Sequence, residues 1–66
     1  MQKRPEKLVV NEWEAAAMLG MSTKTLQARR YRHIPPQYYK VGRSIRYKVS
    51  DLIDWIERGK VQVGEV

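Results

Sequence analysis

The first stretch with a regular pattern is rich in alanine and lies between two helix-boundary residues. Ala15, Ala16 and Ala17 favour helix strongly, and Gly20 tolerates the left-handed backbone that ends many helices. Asn11 is a good N-cap, and Glu14 follows it at the spacing of a capping box. The pattern predicts a first helix from Glu12 to Leu19, preceded by Leu8, Val9 and Val10 as either a brief strand or a hydrophobic staple.

A second helix is predicted after a tight turn in which Met21 is expected to be buried. Ser22 is its N-cap, and it runs from Thr23 to about Arg32 with Leu26 as its core anchor. At about 100° per residue, five side chains point largely away from Leu26: Thr23, Lys24, Gln27, Ala28 and Tyr31. Pro35-Pro36 cannot continue a helix, so a loop follows. The spacing is that of a helix-turn-helix.

From Tyr38 the period changes to two, which is typical of strands. The pattern predicts a hairpin from Tyr38 to Lys48, with a turn at Gly42-Arg43 that places Arg43 at the tip. The apolar face is predicted to carry Tyr39, Val41, Ile45, Tyr47 and Val49. The opposite face is predicted to carry Lys40, Ser44, Arg46 and Lys48.

A third helix is predicted with Ser50 as its cap and Gly59 at its end. Trp55 is the largest side chain available, and we expect it to dominate the core. The predicted core is Leu19, Met21, Leu26, Val41, Ile45, Tyr47, Leu52, Trp55 and Ile56. The predicted fold class is therefore mainly α, with three short helices and a small β-hairpin.

The length and composition allow one small domain, which we place at residues 8–59, with residues 1–7 and 60–66 as flexible tails. The chain has no cysteine and only one histidine, His33, so neither a disulfide nor an intrachain zinc site is expected. We also expect no other metal, no cofactor, no small-molecule ligand, no signal peptide and no membrane span. The expected location is the cytoplasm.

The charge distribution gives the strongest indication of what the domain binds. The net charge is +6, and no acidic residue lies between Ser22 and Lys48. Basic charge concentrated on a helix and a hairpin is typical of a protein that binds a polyanion, with the helix in a groove and the hairpin on the adjacent backbone. On the outward helix face, Gln27 can bond adenine at two points, and Lys24 can address guanine or phosphate.

The sequence resembles a known family. Asn11 through Ser22, followed by Thr25-Leu26, is similar to the opening of MerR-like winged-helix domains. The segments Tyr39 to Tyr47 and Ser50 to Ile56 resemble the wing and final helix of the small excisionase branch. The likeness covers about residues 8 to 58. It departs from the family at two places. Trp13 occupies a position that is often polar in the family, and Pro35-Pro36 stiffens the loop before the wing.

The resemblance implies a winged helix-turn-helix fold, with the second helix in the major groove of double-stranded DNA and the hairpin as a wing. The predicted contacts on the second helix are Ser22, Thr23, Lys24, Gln27, Ala28, Arg30 and Tyr31, and base recognition falls on Thr23, Lys24, Gln27 and Ala28. The predicted contacts on the wing are Lys40, Arg43, Ser44, Arg46 and Lys48. No catalytic residue is implied.

The resemblance also implies how such a domain acts. Because the chain ends soon after Gly59, we expect no dimerisation helix and no effector domain. An excisionase, or recombination directionality factor, binds repeated sites beside an attachment sequence, bends the DNA and biases an integrase towards excision. The implied partners are DNA, an integrase and neighbouring copies, in the nucleoid of a bacterial cell that hosts a phage or mobile element.

Three alternatives remain. A transcription regulator of the same fold would use the same residues at a promoter. An RNA-binding or ribosome-associated protein would need exposed aromatic side chains, whereas the predicted register turns Tyr39 and Tyr47 inwards and leaves only Tyr31 and Tyr38. An enzyme is disfavoured because the sequence offers no cysteine, no metal cluster and little volume for a substrate pocket.

Overall fold

The computed structural model describes residues 7–64 of the 66-residue chain. The elements in order are β1 (Val9–Val10), α1 (Glu12–Leu19), α2 (Thr23–Tyr31), β2 (Tyr39–Val41), β3 (Ser44–Lys48) and α3 (Val49–Arg58). Three helices and a small antiparallel sheet form a winged helix-turn-helix, as predicted. The predicted N-terminal tail, apart from Lys7, lies outside the described residues. Residues 60–64 of the predicted C-terminal tail form no helix or strand.

The start of α1 is fixed by the predicted capping box. The side-chain oxygen of Asn11 accepts a hydrogen bond from the backbone N–H of Glu14, at 2.8 Å. The Glu14 carboxylate in turn accepts one from the backbone N–H of Asn11, at 3.1 Å. Gly20 ends the helix with φ of 70°, a conformation that favours glycine because a side chain would be strained there. The predicted bounds of α1 are therefore confirmed.

The second helix packs through one buried leucine. The hydroxyl of Ser22 caps α2 by accepting a hydrogen bond from the backbone N–H of Thr25, at 3.1 Å, and Leu26 is fully buried. The helix ends at Tyr31, one residue before the predicted end, where Arg32 forms the C-cap. The tight connection between α1 and α2 holds the two helices in the helix-turn-helix arrangement.

The sheet has the strand order β1-β3-β2, and both pairs are antiparallel. The short first strand places Val10 opposite Tyr47, so the hairpin is joined to the chain just before α1. The predicted turn at Gly42-Arg43 is present, and Gly42 has φ of 67°. The hairpin formed by β2, the turn and β3 is called the wing below.

The predicted faces of β2 are wrong. Tyr39 lies opposite Arg46, and Val41 lies opposite Ser44. Directly opposite residues of an antiparallel pair share a face, so Tyr39 and Val41 lie on the Arg46 side of the sheet and not on the side of Tyr47. The two-residue turn sets this register, and a shift of one position exchanges the faces of a strand. Val41 is accordingly 59% exposed and is not a core residue.

The core lies where α1, α2, β3 and α3 meet. Leu26, Tyr47 and Leu52 are its largest fully buried side chains, and Val10, Ala15 and Ala16 complete it. Small alanine side chains on α1 let α2 approach closely. Three further predicted core residues are partly buried and pack against this cluster: Leu19, Met21 and Ile45.

The C-terminal half of α3 contributes less to the core than predicted. Trp55 is only partly buried, so Tyr47 and not Trp55 is the central aromatic residue. Ile56 is 50% exposed and is not a core residue. It borders an open groove of about 400 Å³ beside Leu19 and Met21, so only one side of its side chain is covered.

The predicted cap of α3 is also wrong. The helix begins at Val49, Lys48 occupies the N-cap position, and no side chain caps it. Ser50 already lies in the first turn, because β3 runs directly into the helix without an intervening loop. Gly59 ends the helix as predicted, although its φ of −90° is not left-handed.

Candidate nucleic-acid interface

One face of α2, extended by its C-cap residue Arg32, is exposed along its length. Its exposed residues are Lys24, Thr25, Ala28, Tyr31 and Arg32. Ala28 lies at the centre of this face, about 160° around the helix from the buried Leu26. A small central side chain with basic groups on either side lets the helix approach a groove closely while cations reach its walls.

The exposed face is turned slightly from the predicted one. Thr25 and Arg32 belong to it but were not among the predicted contacts, although steps of about 100° place them only about 60° and 40° from Ala28. Thr23 and Gln27 were predicted to face outwards, but both are partly buried on the flank of α2. The helical pattern fixes Leu26 as the anchor, but it does not reveal the side on which α1 packs.

Two predicted DNA contacts on α2 bind a carboxylate of α1 instead of facing freely outwards. Gln27 donates a hydrogen bond from Nε2 to Glu12, at 3.0 Å. Arg30 forms an ion pair with the other oxygen of Glu12, also at 3.0 Å. The exposed fractions of the Arg30 and Glu12 side chains are only 14% and 12%. These contacts join the two helices of the helix-turn-helix.

The neighbouring basic residues on α2 divide between the protein and the solvent. Arg29 donates a hydrogen bond to the carbonyl of Pro35 and lies 5.2 Å from the ring centre of Trp55. Its guanidinium therefore anchors the loop after α2. Lys24 and Arg32 are exposed, and no hydrogen bond or ion pair engages their side chains among the described residues. They are the cations that α2 offers to a ligand.

The N-terminal end of α2 is also polar and open. The hydroxyl of Ser22 lies 2.9 Å from that of Thr25, and both residues are exposed. The first turn of α2 contains no acidic residue, so the positive end of its helix dipole is not neutralised within the helix. Ser22 therefore caps the helix and keeps its hydroxyl close to the exposed face.

Only some of the DNA contacts predicted for the wing lie close together. Lys40, Arg43 and Ser44 lie near its tip, where Lys40 and Arg43 are exposed. Lys40 lies opposite Ile45, so it is on the other face of the sheet from Ser44, and the predicted common face is wrong. Lys48 lies at the base, about 13 Å along the strand from Ser44 at about 3.3 Å per residue. Arg46 is partly buried between them, and its guanidinium donates a hydrogen bond to the carbonyl of Ile45, at 2.8 Å. The tip is thus the most accessible basic part of the wing.

Several acidic side chains lie against donors of the protein. Lys7 forms an ion pair with Glu14 at 2.8 Å and, together with the capping hydrogen bond from Asn11, lowers the pKa of that carboxyl below its ordinary value. The hydroxyl of Tyr39 donates to Asp51 at 3.0 Å, and this hydrogen bond raises the pKa of the Tyr39 phenol. The carboxylate that borders the exposed face of α2, Glu12, is paired with Arg30, and residues 39–48 of the hairpin contain no acidic side chain.

The exposed aromatic side chains differ from the expected pair. Tyr31 is exposed on α2, and the guanidinium of Arg30 lies 5.0 Å from its ring centre. Tyr38 is partly buried, with its ring 6.3 Å from that of Tyr47, whereas Tyr39 is more exposed than predicted. Tyr31 and Tyr39 lie on different elements and form no stacking platform for single-stranded nucleic acid.

The fold and these surfaces agree with a comparison against protein families. A family described as a helix-turn-helix domain matches residues 14–60, which is most of the chain. The protein belongs to the helix-turn-helix domain family. The matched residues include all of α2, the wing and α3, and all of α1 except its first two residues. No curated protein matches the chain.

Membership of this family indicates the kind of ligand that the domain binds. The helix-turn-helix domain binds double-stranded DNA in a sequence-specific way, with the second helix of the motif in the major groove. In this domain that helix is α2, and we call it the recognition helix from here on. Within residues 7–64, no helix has the length and apolar character required to cross a membrane. No group of three metal-ligating side chains comes together in that same part of the chain.

Proposed function

We propose that this helix-turn-helix domain is an architectural DNA-binding protein of the excisionase type. It binds repeated sites in double-stranded DNA cooperatively, bends the duplex and biases a site-specific integrase towards excision. The observation that carries the proposal is the pair of basic surfaces, one on the recognition helix and one at the wing tip. The helix-turn-helix family includes excisionase-like proteins, and the sequence resembles the small excisionase branch of MerR-like winged helices.

In the proposed complex the recognition helix lies in the major groove with Ala28 facing the base pairs. Lys24 and Arg32 flank it at the exposed face and reach guanine or phosphate. The wing follows the adjacent backbone, where Arg43 at its tip contacts phosphates or enters a narrow minor groove. The α2 contacts provide sequence preference and the wing contacts provide salt-dependent affinity.

The size of the domain favours cooperative binding. A single DNA-binding module of this size buries about 600–1,000 Å² of protein surface on DNA, which gives one copy little affinity. Bending a short site costs on the order of 1–6 kcal/mol. Several copies on adjacent sites contribute enough contacts to offset that cost, so cooperativity and bending are expected together. We propose that these copies and an integrase act at the nucleoid of a bacterial host.

The first experiment is a gel-mobility titration on circularly permuted duplexes that carry the attachment region of a candidate integrase. We expect stepwise bound species and a mobility that depends on the position of the site within the fragment. An Arg43→Ala variant serves as a control with weakened backbone contact. A single saturating complex with the same mobility at every site position would contradict cooperative bending.

The second experiment is a recombination assay with a site-specific integrase whose purified attachment sites the protein binds. Excision that requires the protein, together with unchanged or reduced integration, would support a directionality factor. Repression of a nearby promoter without any effect on the integrase would instead support the transcription-regulator alternative. The two assays separate DNA binding as such from its consequence.

A further inference from the structure

The carboxylate of Glu12 holds two side chains of the recognition helix at once. One oxygen accepts a hydrogen bond from Nε2 of Gln27 and the other pairs with Arg30, each at 3.0 Å. Glu12 is the first residue of α1, so the contacts cross from one helix of the motif to the other. The contact to Gln27 fixes a side chain at the edge of the DNA-facing surface.

The chemistry of the carboxylate fixes the orientation of the Gln27 amide. An ionised carboxylate only accepts hydrogen bonds, so the amide must turn its nitrogen towards Glu12. The amide oxygen of Gln27 makes no hydrogen bond among the described residues and is not one of the buried atoms left without a partner. It is therefore not fully buried, and it belongs to a side chain on the flank of α2, next to Ala28 in sequence and one helical turn from Lys24.

We propose that Glu12 is a positioning residue for base recognition: it holds Gln27 so that its free group is a hydrogen-bond acceptor. This inference rests on the proposed role of α2 as the recognition helix. In the major groove an acceptor favours a base with an exocyclic amino group, adenine or cytosine, over guanine or thymine at the same position. An unrestrained glutamine would instead bring both oxygen and nitrogen to adenine.

The ion pair with Arg30 offsets the repulsion that the Glu12 carboxylate would otherwise exert on DNA phosphates near α2. Glu12 alone would repel the phosphates that flank the groove, but the guanidinium 3.0 Å away balances its charge. A glutamine at position 12 could bond Gln27 with either end of its own amide. The charged carboxylate therefore provides what a neutral side chain cannot, which is one orientation of Gln27.

The test compares base preferences of the wild-type protein and Glu12→Gln. Duplexes with a randomised core are selected by binding and sequenced, and individual duplexes are then titrated. We expect the wild type to prefer adenine or cytosine at one position by about two- to tenfold, the ratio that one neutral hydrogen bond supplies. Glu12→Gln should lose the preference at that position and keep the others.

A second variant covers the case in which Glu12→Gln fails to fold because Arg30 loses its counter-charge. The double variant Glu12→Gln with Arg30→Met removes both charges and keeps similar volume, which is often tolerated. Gln27→Met should lose preference at the same position as Glu12→Gln. Glu14→Gln is the matched control on α1, because Glu14 bonds Lys7 and Asn11 and forms no hydrogen bond or ion pair with α2.

The outcomes separate this inference from the proposed function. If Glu12→Gln and the double variant both keep the wild-type preference, or if Gln27→Met keeps it, Glu12 does not position the contact. If the wild type shows no base preference at any position, α2 is not the recognition helix and the proposed function fails as well. A wild-type preference for guanine or thymine at the position affected by Gln27→Met would also overturn the inference.

Discussion

The guanidinium of Arg30 lies 3.0 Å from the carboxylate of Glu12, and this ion pair joins the recognition helix to α1. Both side chains are largely covered. The same carboxylate binds Gln27, so one acidic residue contacts two side chains of α2, one of which lies at the edge of the proposed DNA-binding surface. Because the pair is largely covered, we expect its loss to lower the free energy of unfolding more than it changes the surface charge that DNA would meet.

Arg30→Ala should destabilise the domain strongly. Removing one partner of a fully buried ion pair costs about 3–5 kcal/mol because the other charge is left uncompensated, and this mostly covered pair should cost somewhat less. A core of this size supplies only about 3–5 kcal/mol in total, so partial unfolding is expected. Urea unfolding followed by circular dichroism measures the change. Arg32→Ala, at an exposed position, is the control and should stay within about 0.5 kcal/mol of wild type; equal losses would show that the pair is not important for stability.

Tyr47→Ala should be more damaging than Trp55→Ala. Tyr47 is fully buried at the centre of the core, and truncating such an aromatic residue costs about 3–5 kcal/mol. Trp55 is only partly buried, with the Arg29 guanidinium 5.2 Å from its ring centre, so its loss should cost less. Thermal melting of the two variants tests the order. A cooperative melt for Tyr47→Ala with an unfolded Trp55→Ala would reverse our assignment of the core.

The stability of the domain should fall at alkaline pH through Tyr47. Burial raises the pKa of its phenol above the ordinary value, although the nearby Arg30 opposes the shift. A raised folded-state pKa means that the stability contribution is complete below the unfolded value of about 10 and is lost as the pH rises through the folded value. Unfolding free energy measured across this range should fall less steeply for Tyr47→Phe. An identical slope for that variant would show that the pKa of Tyr47 is the same in the folded and the unfolded protein.

The features that were predicted correctly depend on residues close together in sequence. Asn11 and Glu14 are three residues apart, and their capping box fixes the start of α1 whatever the rest of the chain does. Ser22 caps α2 in the same local way, and Gly42 supplies the turn of the wing. The order of elements and the helix-turn-helix fold follow from such local signals.

The predictions that were wrong depend on contacts between residues distant in sequence or on the strand register that the two-residue turn sets. The contact of Gln27 with Glu12 spans 15 residues, and no periodicity within α2 reveals it. The exposure of Val41, in contrast, follows from the two-residue turn, which places it opposite Ser44. Ser50 was a plausible cap only if a loop separated the wing from α3, and β3 leaves no such loop.

Lys24→Ala should weaken binding to a selected duplex more than binding to a random one. Lys24 is exposed on the recognition helix beside Ala28, and a lost base contact costs about 1–3 kcal/mol of discrimination. Titration with a selected duplex in the presence of random competitor measures the difference. Lys60→Ala, outside the helices, is the control with the same charge change. If Lys24→Ala weakens both duplexes equally, Lys24 contacts phosphate and not a base.

Arg43→Ala should weaken binding to all duplexes and reduce the salt dependence of binding. Arg43 lies at the exposed tip of the wing beside Gly42, where no acidic side chain of the hairpin competes with phosphate. Each phosphate contact that is lost lowers the slope of log affinity against log salt by about 0.9. The measurement is a binding isotherm at several salt concentrations on selected and random duplexes. Arg58→Ala is the matched control, because its guanidinium lies on α3, 3.7 Å from Asp54, and its loss should leave the slope unchanged. Wild-type affinity and slope in Arg43→Ala would remove the wing tip from the interface, since an arginine that contacts the DNA backbone cannot be lost without releasing fewer counterions.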